Sequence, residues 1–235
     1  MAFDVNFDLR LDSKGKDPDK YSPTLKAQHQ LLWSKLLPNG SVFQLELEPK
    51  GYLKHVSKHG VFHLSSDTIS HSLRDQAKML NLIKQIPNEK LDYFQTMGSV
   101  IGARTIFPGN RIDGRTTINQ RRGMHNKIND RFDLTLECIR LHYENKNSPL
   151  ADVLGRYSDF FRLFCDFTSY VEFFLLQDLV STNSEKIDFF LPHDPSFTLS
   201  PRPESVDSYY QYMENSINFV KSRNERIQTW VEKHL

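Results

Sequence analysis

The sequence has few cysteines, no long apolar run and almost no net charge. Two cysteines in 235 residues cannot build a disulfide scaffold. No stretch approaches the roughly 18 uninterrupted apolar residues that a membrane span needs. The most apolar piece, Tyr157 to Val180, is interrupted by Asp159, Arg162, Asp166, Glu172 and Asp178. Met1 to Arg10 lacks the basic region and apolar stretch of a secretory leader. Thirty Lys and Arg stand against 29 Asp and Glu, a formal charge of +1, which excludes a histone-like blanket of positive charge. The expected protein is cytoplasmic, makes no membrane contact, and keeps Cys138 and Cys165 as reduced core residues.

Aromatic residues are abundant. Seventeen phenylalanines and 38% hydrophobic content suffice for a sizeable core. Phe3, Val5, Phe7 and Leu9 alternate with polar residues and predict a strand. Ser22-Pro23 fits an N-cap with proline at the first helical position, opening a helix towards Leu37. Strands are expected over Val42 to Glu48, Tyr52 to Val56, Val61 to Leu64 and Val100 to Phe107. Ser65-Ser66-Asp67 is read as the cap of a helix running to Ile86, with Leu91 to Met97 a further short helix. Pro108 to Gly123 reads as a long loop. Helices are expected over His125 to Tyr143, after Asn147-Ser148-Pro149, over Tyr157 to Val180 and over Glu204 to Leu235, and a last strand over Ile187 to Leu191. The sum is one α+β domain across residues 1–235, with a small, mostly antiparallel sheet from the N-terminal half packed on a helical C-terminal half.

Positive charge is concentrated in one place. Between Arg104 and Asn129 lie Arg104, Arg111, Arg115, Arg121, Arg122 and Lys127 against one acid, Asp113. Six minus one is +5, so the rest of the chain sums to −4. Arginine presents a rigid fork of donors that matches phosphate or carboxylate. Glycines at 109, 114 and 123 allow close backbone approach, and Asn110 and Asn119 add neutral donors. The reading is recognition of a phosphate-bearing ligand, a nucleotide or nucleic acid, by Arg104, Asn110, Arg111, Arg115, Asn119 and Arg122, with Arg131 and Arg140 behind them. The competing reading is a solvated loop whose arginines pair with acids elsewhere. No phosphate-loop or dinucleotide fingerprint occurs.

Asp130, Asp133, Glu137 and Arg140 follow at spacings of 3, 4 and 3, one face of a helix. Two roles are open to the acids. They could hold a divalent ion such as Mg²⁺ for phosphoester hydrolysis, or act in general acid–base catalysis with His125. Alternatively they form a salt-bridge network with Arg131, Arg140 and Arg162, which is the preferred reading because carboxylates at these spacings are common. His55, His59 and His63 recur every four residues, but Gly60 breaks any helix that would gather them around a metal.

Several stretches resemble one uncharacterised bacterial family, a domain of unknown function. They are Gly15-Lys16-Asp17-Pro18-Asp19, Leu32 to Gly40, Leu64-Ser65-Ser66-Asp67, Phe107-Pro108-Gly109-Asn110-Arg111, Thr117-Ile118-Asn119, Arg122-Gly123, Asp130 to Arg140 and Phe173 to Val180. Arg121 stands where that family resemblance implies a small residue. The resemblance implies a single-domain architecture and no mechanism. The leading functional expectation is thus phosphate-ligand binding with metal-assisted hydrolysis in second place. The alternative is a non-catalytic subunit of a bacterial defence or regulatory complex, whose loop docks an acidic protein partner.

Overall fold

The computed structural model describes residues 3–48, 51–74, 76–181 and 186–234. The fold is α+β, with antiparallel sheets in the N-terminal half and helices mostly in the second. Ser22 caps α2 (Pro23–Trp33), its hydroxyl accepting from the Leu25 N–H at 3.0 Å. A one-turn helix, α1 (Pro18–Tyr21), precedes it and is capped by Asp17. Two-residue strands β1 (Lys35–Leu36) and β2 (Val42–Phe43) pair with each other. A four-stranded antiparallel sheet follows, ordered β3 (Glu46–Leu47), β4 (Leu53–Ser57), β5 (Gly60–Thr68), β6 (Arg104–Pro108). Its register sets Leu53 against Leu64, Val56 against Val61, Ser66 against Ile106 and Asp67 against Thr105.

Helices α3 (Leu80–Ile83) and α4 (Asn88–Met97) lie between β5 and β6. After β6 come α5 (Ile118–Met124), α6 (Phe132–Tyr143), α7 (Ala151–Arg156), α8 (Ser158–Phe161), α9 (Phe167–Phe173) and the long α10 (Val206–His234). One contiguous buried cluster runs from Val5 through Trp33, Phe107, Phe164 and Tyr209 to Val231. Helix α10 closes on the turn Ile101–Ala103 through Gly102, whose N–H donates to Asn224 Oδ1 at 2.9 Å. A Cβ at Gly102 would sit 2.2 Å from that oxygen, so the packing requires glycine.

Several expected elements take another form. Phe3 to Leu9 is a series of turns, because Asp4 and Asp8 accept the N–H groups of Asn6 and Arg10 at 2.8 and 3.0 Å. These Asx turns offer the backbone an alternative to a ladder. Ser65-Ser66-Asp67 caps no helix; all three lie in β5. Of the helix expected towards Ile86, the described residues form a 3₁₀ turn at Ala77–Met79 and then α3. Within the expected loop Pro108 to Gly123, α5 forms behind a capping box of Thr117 and Gln120. The helix expected from His125 starts only at Phe132, since Asn129 and Asp130 both have left-handed backbone (φ 48° and 63°). Left-handed residues likewise break Tyr157 to Val180, at Cys165 (φ 65°) and Leu175 (φ 53°). Cys165 is therefore exposed on a turn, while Cys138 is buried as expected. Ile187 forms an isolated bridge with Val180 rather than a strand. Among the described residues no helix is long and apolar enough to cross a membrane.

Candidate functional site

The site is built on β5 beyond the point where β4 stops pairing, at Leu53 against Leu64. The next free backbone donor, the Ser66 N–H, is taken by Asp19 of α1, Oδ1 accepting at 2.7 Å. The other oxygen of that carboxylate accepts from the Ser65 hydroxyl at 2.9 Å. From α5, Asn119 Nδ2 donates to Ser65 Oγ at 3.3 Å and to the Ser66 carbonyl at 3.4 Å. Gly109 passes so close that a Cβ there would lie 2.9 Å from Ser65 Cβ. Ser65 is thus the hub where α1, β5, the turn after β6, and α5 meet.

Ser66 points to the opposite face of the sheet. Trp33 Nε1–H donates to His29 Nδ1 at 2.9 Å, so the neutral ring carries its proton on Nε2 and gives it to Ser66 Oγ, also at 2.9 Å. Burial first, then the Arg223 and Arg104 guanidiniums, push the His29 pKa down to about 3. Asp19 moves the other way: burial, with Asp17 and Asp67 nearby, holds its carboxyl above the usual range. Asp19 and His29 line a cavity of about 200 Å³ that also receives Lys20 and Lys26. A carboxyl of raised pKa accepting a serine hydroxyl is suited to proton exchange with a hydroxyl ligand.

The arginines divide into two groups. Arg122 is wholly buried and spent on structure. It pairs with Asp67 at 2.5 Å and donates to Thr68 O (3.1 Å), Asp130 O (2.7 Å) and Thr135 Oγ1 (3.1 Å). Arg131 is buried against Asp133 and also donates to the Leu191 carbonyl at 3.2 Å. Arg140 clamps Glu137 (2.7 and 2.8 Å) and reaches Glu144 at 2.5 Å. Arg115 is half committed, to Asp113 at 3.2 Å and Asp152 at 3.9 Å. Arg111 and Arg121 are exposed and make no ion pair or side-chain hydrogen bond among the described residues. Arg104 is half-buried on the His29 side, its Nε without a hydrogen-bond partner. Asn110 Oδ1 and Asn119 Oδ1 are buried and also lack a partner.

The expected acid trio is not assembled around one point. Asp133 accepts from Arg131 and from the Phe190 N–H at 2.8 Å, deep in the core. Glu137 belongs to Arg140, and Asp130 lies on the turn before α6, its carboxylate 3.9 Å from Arg122. The salt-bridge reading therefore describes Asp133 and Glu137, while Arg162 pairs instead with Asp159 at 2.7 Å. Burial, and then Arg121 and Lys127 nearby, lower the pKa of His125. Among the described residues no three His, Cys, Asp or Glu side chains gather as a metal site. His55 turns inward to stack on Phe43 at 4.1 Å, so the histidine series of the β4–β5 hairpin is split.

Sequence reasoning missed Asp19, His29, Ser65 and Ser66 as a group. The available signal was that Asp19, Ser65, Ser66, Asp67, Gly109, Asn119 and Arg122 all fall in stretches resembling one family. A family model of unknown function, DUF6994, matches residues 3–227. The chain belongs to this family. No curated protein and no solved structure matches it. The residues Asp19, Gly109, Asn119 and Arg122, from four of the resembling stretches far apart in the chain, meet at Ser65, Ser66 and Asp67 of β5.

Proposed function

We propose that this DUF6994 chain binds a phosphate-bearing ligand, a nucleotide or nucleic acid, on the outer face of the segment 109–121. The observation that carries the proposal is that Arg111 and Arg121 stand exposed and uncommitted, although the buried Arg122 and Arg131 and the part-buried Arg140 are all paired. Arg111 and Arg121 supply charge-assisted donors for phosphate, and Arg115 can exchange its exposed acids for a ligand. The geometry favours binding over hydrolysis by Asp130, Asp133 and Glu137, because the last two already neutralise arginines. Free thiols at Cys138 and Cys165 accord with work in the cytoplasm.

The test is a thermal-shift and binding screen with ATP, GTP, a short RNA and a short DNA, at low and moderate salt. A ligand at 100 times its dissociation constant adds about 2.7 kcal/mol, which for a chain of this size raises Tm by about 5–10 °C. Arg111→Glu with Arg121→Glu is expected to abolish the shift and leave the unliganded Tm unchanged. Arg122 is unsuited to this test because it lies in the core. No shift with any of these ligands refutes the proposal and leaves docking of an acidic protein partner as the reading to pursue.

A further inference from the structure

Outside the site on β5, Lys35 of β1 sets its side chain among aromatic rings. Its Nζ lies 5.1 Å from the Trp33 ring centre, 4.7 Å from Phe173 and 5.1 Å from Trp230. Among the described residues no carboxylate pairs with it, and no hydrogen bond to its amine is formed. The charge that acts on it is another cation: the buried Arg223, whose guanidinium also faces Trp33 at 5.9 Å. Lys35 opens on a depression of about 610 Å³ walled by Gln30, Leu31, Ser34, Leu36, Trp230 and His234. Leu36 is 65% exposed, and His234 stacks on Trp230 at 4.5 Å, so the larger side chains of the wall are apolar or aromatic, with Gln30 and Ser34 the polar ones.

We propose that Lys35 is a nucleophilic amine at the base of a ligand pocket, and that the pocket takes a small aldehyde with an aromatic or aliphatic body as an imine. A lysine becomes nucleophilic when it is desolvated in an apolar pocket or placed beside another cation, and Lys35 meets both conditions. The rings return part of the lost solvation to the ammonium, but burial and Arg223 push its pKa down to about 7. Near pH 7 about half of the amine is then neutral, against roughly one in 3,000 for an ordinary lysine. In the reaction the nitrogen lone pair attacks the carbonyl carbon and the C=O π pair moves to oxygen. Proton transfer from nitrogen to that oxygen gives a carbinolamine, and loss of water leaves the C=N bond. No oxidant or reductant is consumed.

The full chain is incubated at pH 7 with benzaldehyde or glyoxylate, each with cyanoborohydride to reduce any imine to a stable secondary amine, and adducts are located by peptide mass mapping. Lys35 is expected to be labelled by benzaldehyde at least about tenfold faster than the exposed Lys58 and Lys78, with a rate that rises through pH 7 rather than pH 10. Benzaldehyde is expected to outpace glyoxylate at Lys35 and not at Lys58. Lys35→Arg should remove this one adduct and leave the rest unchanged. Labelling of Lys35 at the rate of the exposed lysines overturns the proposal, and so does equal labelling by the two aldehydes.

Discussion

His29 gives the most direct physical test of the fold. Its ring is 1% exposed and held between Trp33 and Ser66, both at 2.9 Å. Protonation would place N–H on Nδ1, pointing at the Trp33 N–H, so the charged ring would lose a hydrogen bond and gain two facing donors. Burial and the two nearby arginines oppose the charge as well, and the folded pKa is about 3 against an unfolded value of 6.5. The unfolded chain therefore binds more protons than the folded one between pH 6.5 and 3. By linkage, stability rises with pH through that window, is complete above about 6.5, and is lost as the pH falls towards 3. Between pH 7 and 4.5 the single group costs about 2–3 kcal/mol. Urea unfolding of wild type and His29→Gln at both pH values reads it: the variant is less stable at pH 7 but should lose about 2–3 kcal/mol less on acidification. The other histidines with lowered pKa, His55, His125, His142 and His193, contribute equally to both proteins and cancel. An identical loss in wild type and variant would refute a buried neutral His29.

Arg122→Ala should cost about 3–5 kcal/mol in urea unfolding, because it strands the Asp67 carboxylate and two carbonyls at once; a loss below about 1 kcal/mol would show that the Arg122 network is not needed. The two thiols should differ sharply towards a disulfide reagent in native buffer. Cys165, exposed on its left-handed turn, reacts at once, whereas Cys138, buried with its pKa pushed up to about 12, reacts only after denaturation; fast reaction of both would refute the packing of α6.

What could be read from the sequence was whatever local pattern and final environment agree on. The hairpin of β4 and β5 alternates as a half-buried strand pair should, and its core residues Leu53, Phe62 and Leu64 are buried. Ser22-Pro23 caps α2 as its chemistry dictates. The Tyr209, Met213, Ile217, Val220 and Ile227 stripe of α10 faces the core. The misread elements are those where side chains far apart in sequence decide. Asp4 and Asp8 satisfy their own neighbours and turn an alternating segment away from any ladder. Ser66 does have its N–H capped by a carboxylate, as a capping reading would demand. The carboxylate comes from Asp19, 47 residues earlier, and the backbone it caps is a strand.

The same distinction separates the arginines. Composition counted six cations in one segment and could not say which were already used. Burial decides that: a guanidinium without solvent must find acceptors within the protein, and Arg122 collects an aspartate, two carbonyls and a threonine hydroxyl. A polar side chain in this region therefore does one of two things. Arg122, Asp67 and Thr135 hold the hub together from beneath. Arg111 and Arg121 are under no such demand, so if they are removed the fold should persist. A loss of ligand affinity at constant stability belongs to these two residues, and a loss of both belongs to Arg122. A mutation series that reverses that assignment would mean that the ligand reaches the core, through the cavity of Asp19 and His29, rather than the outer face.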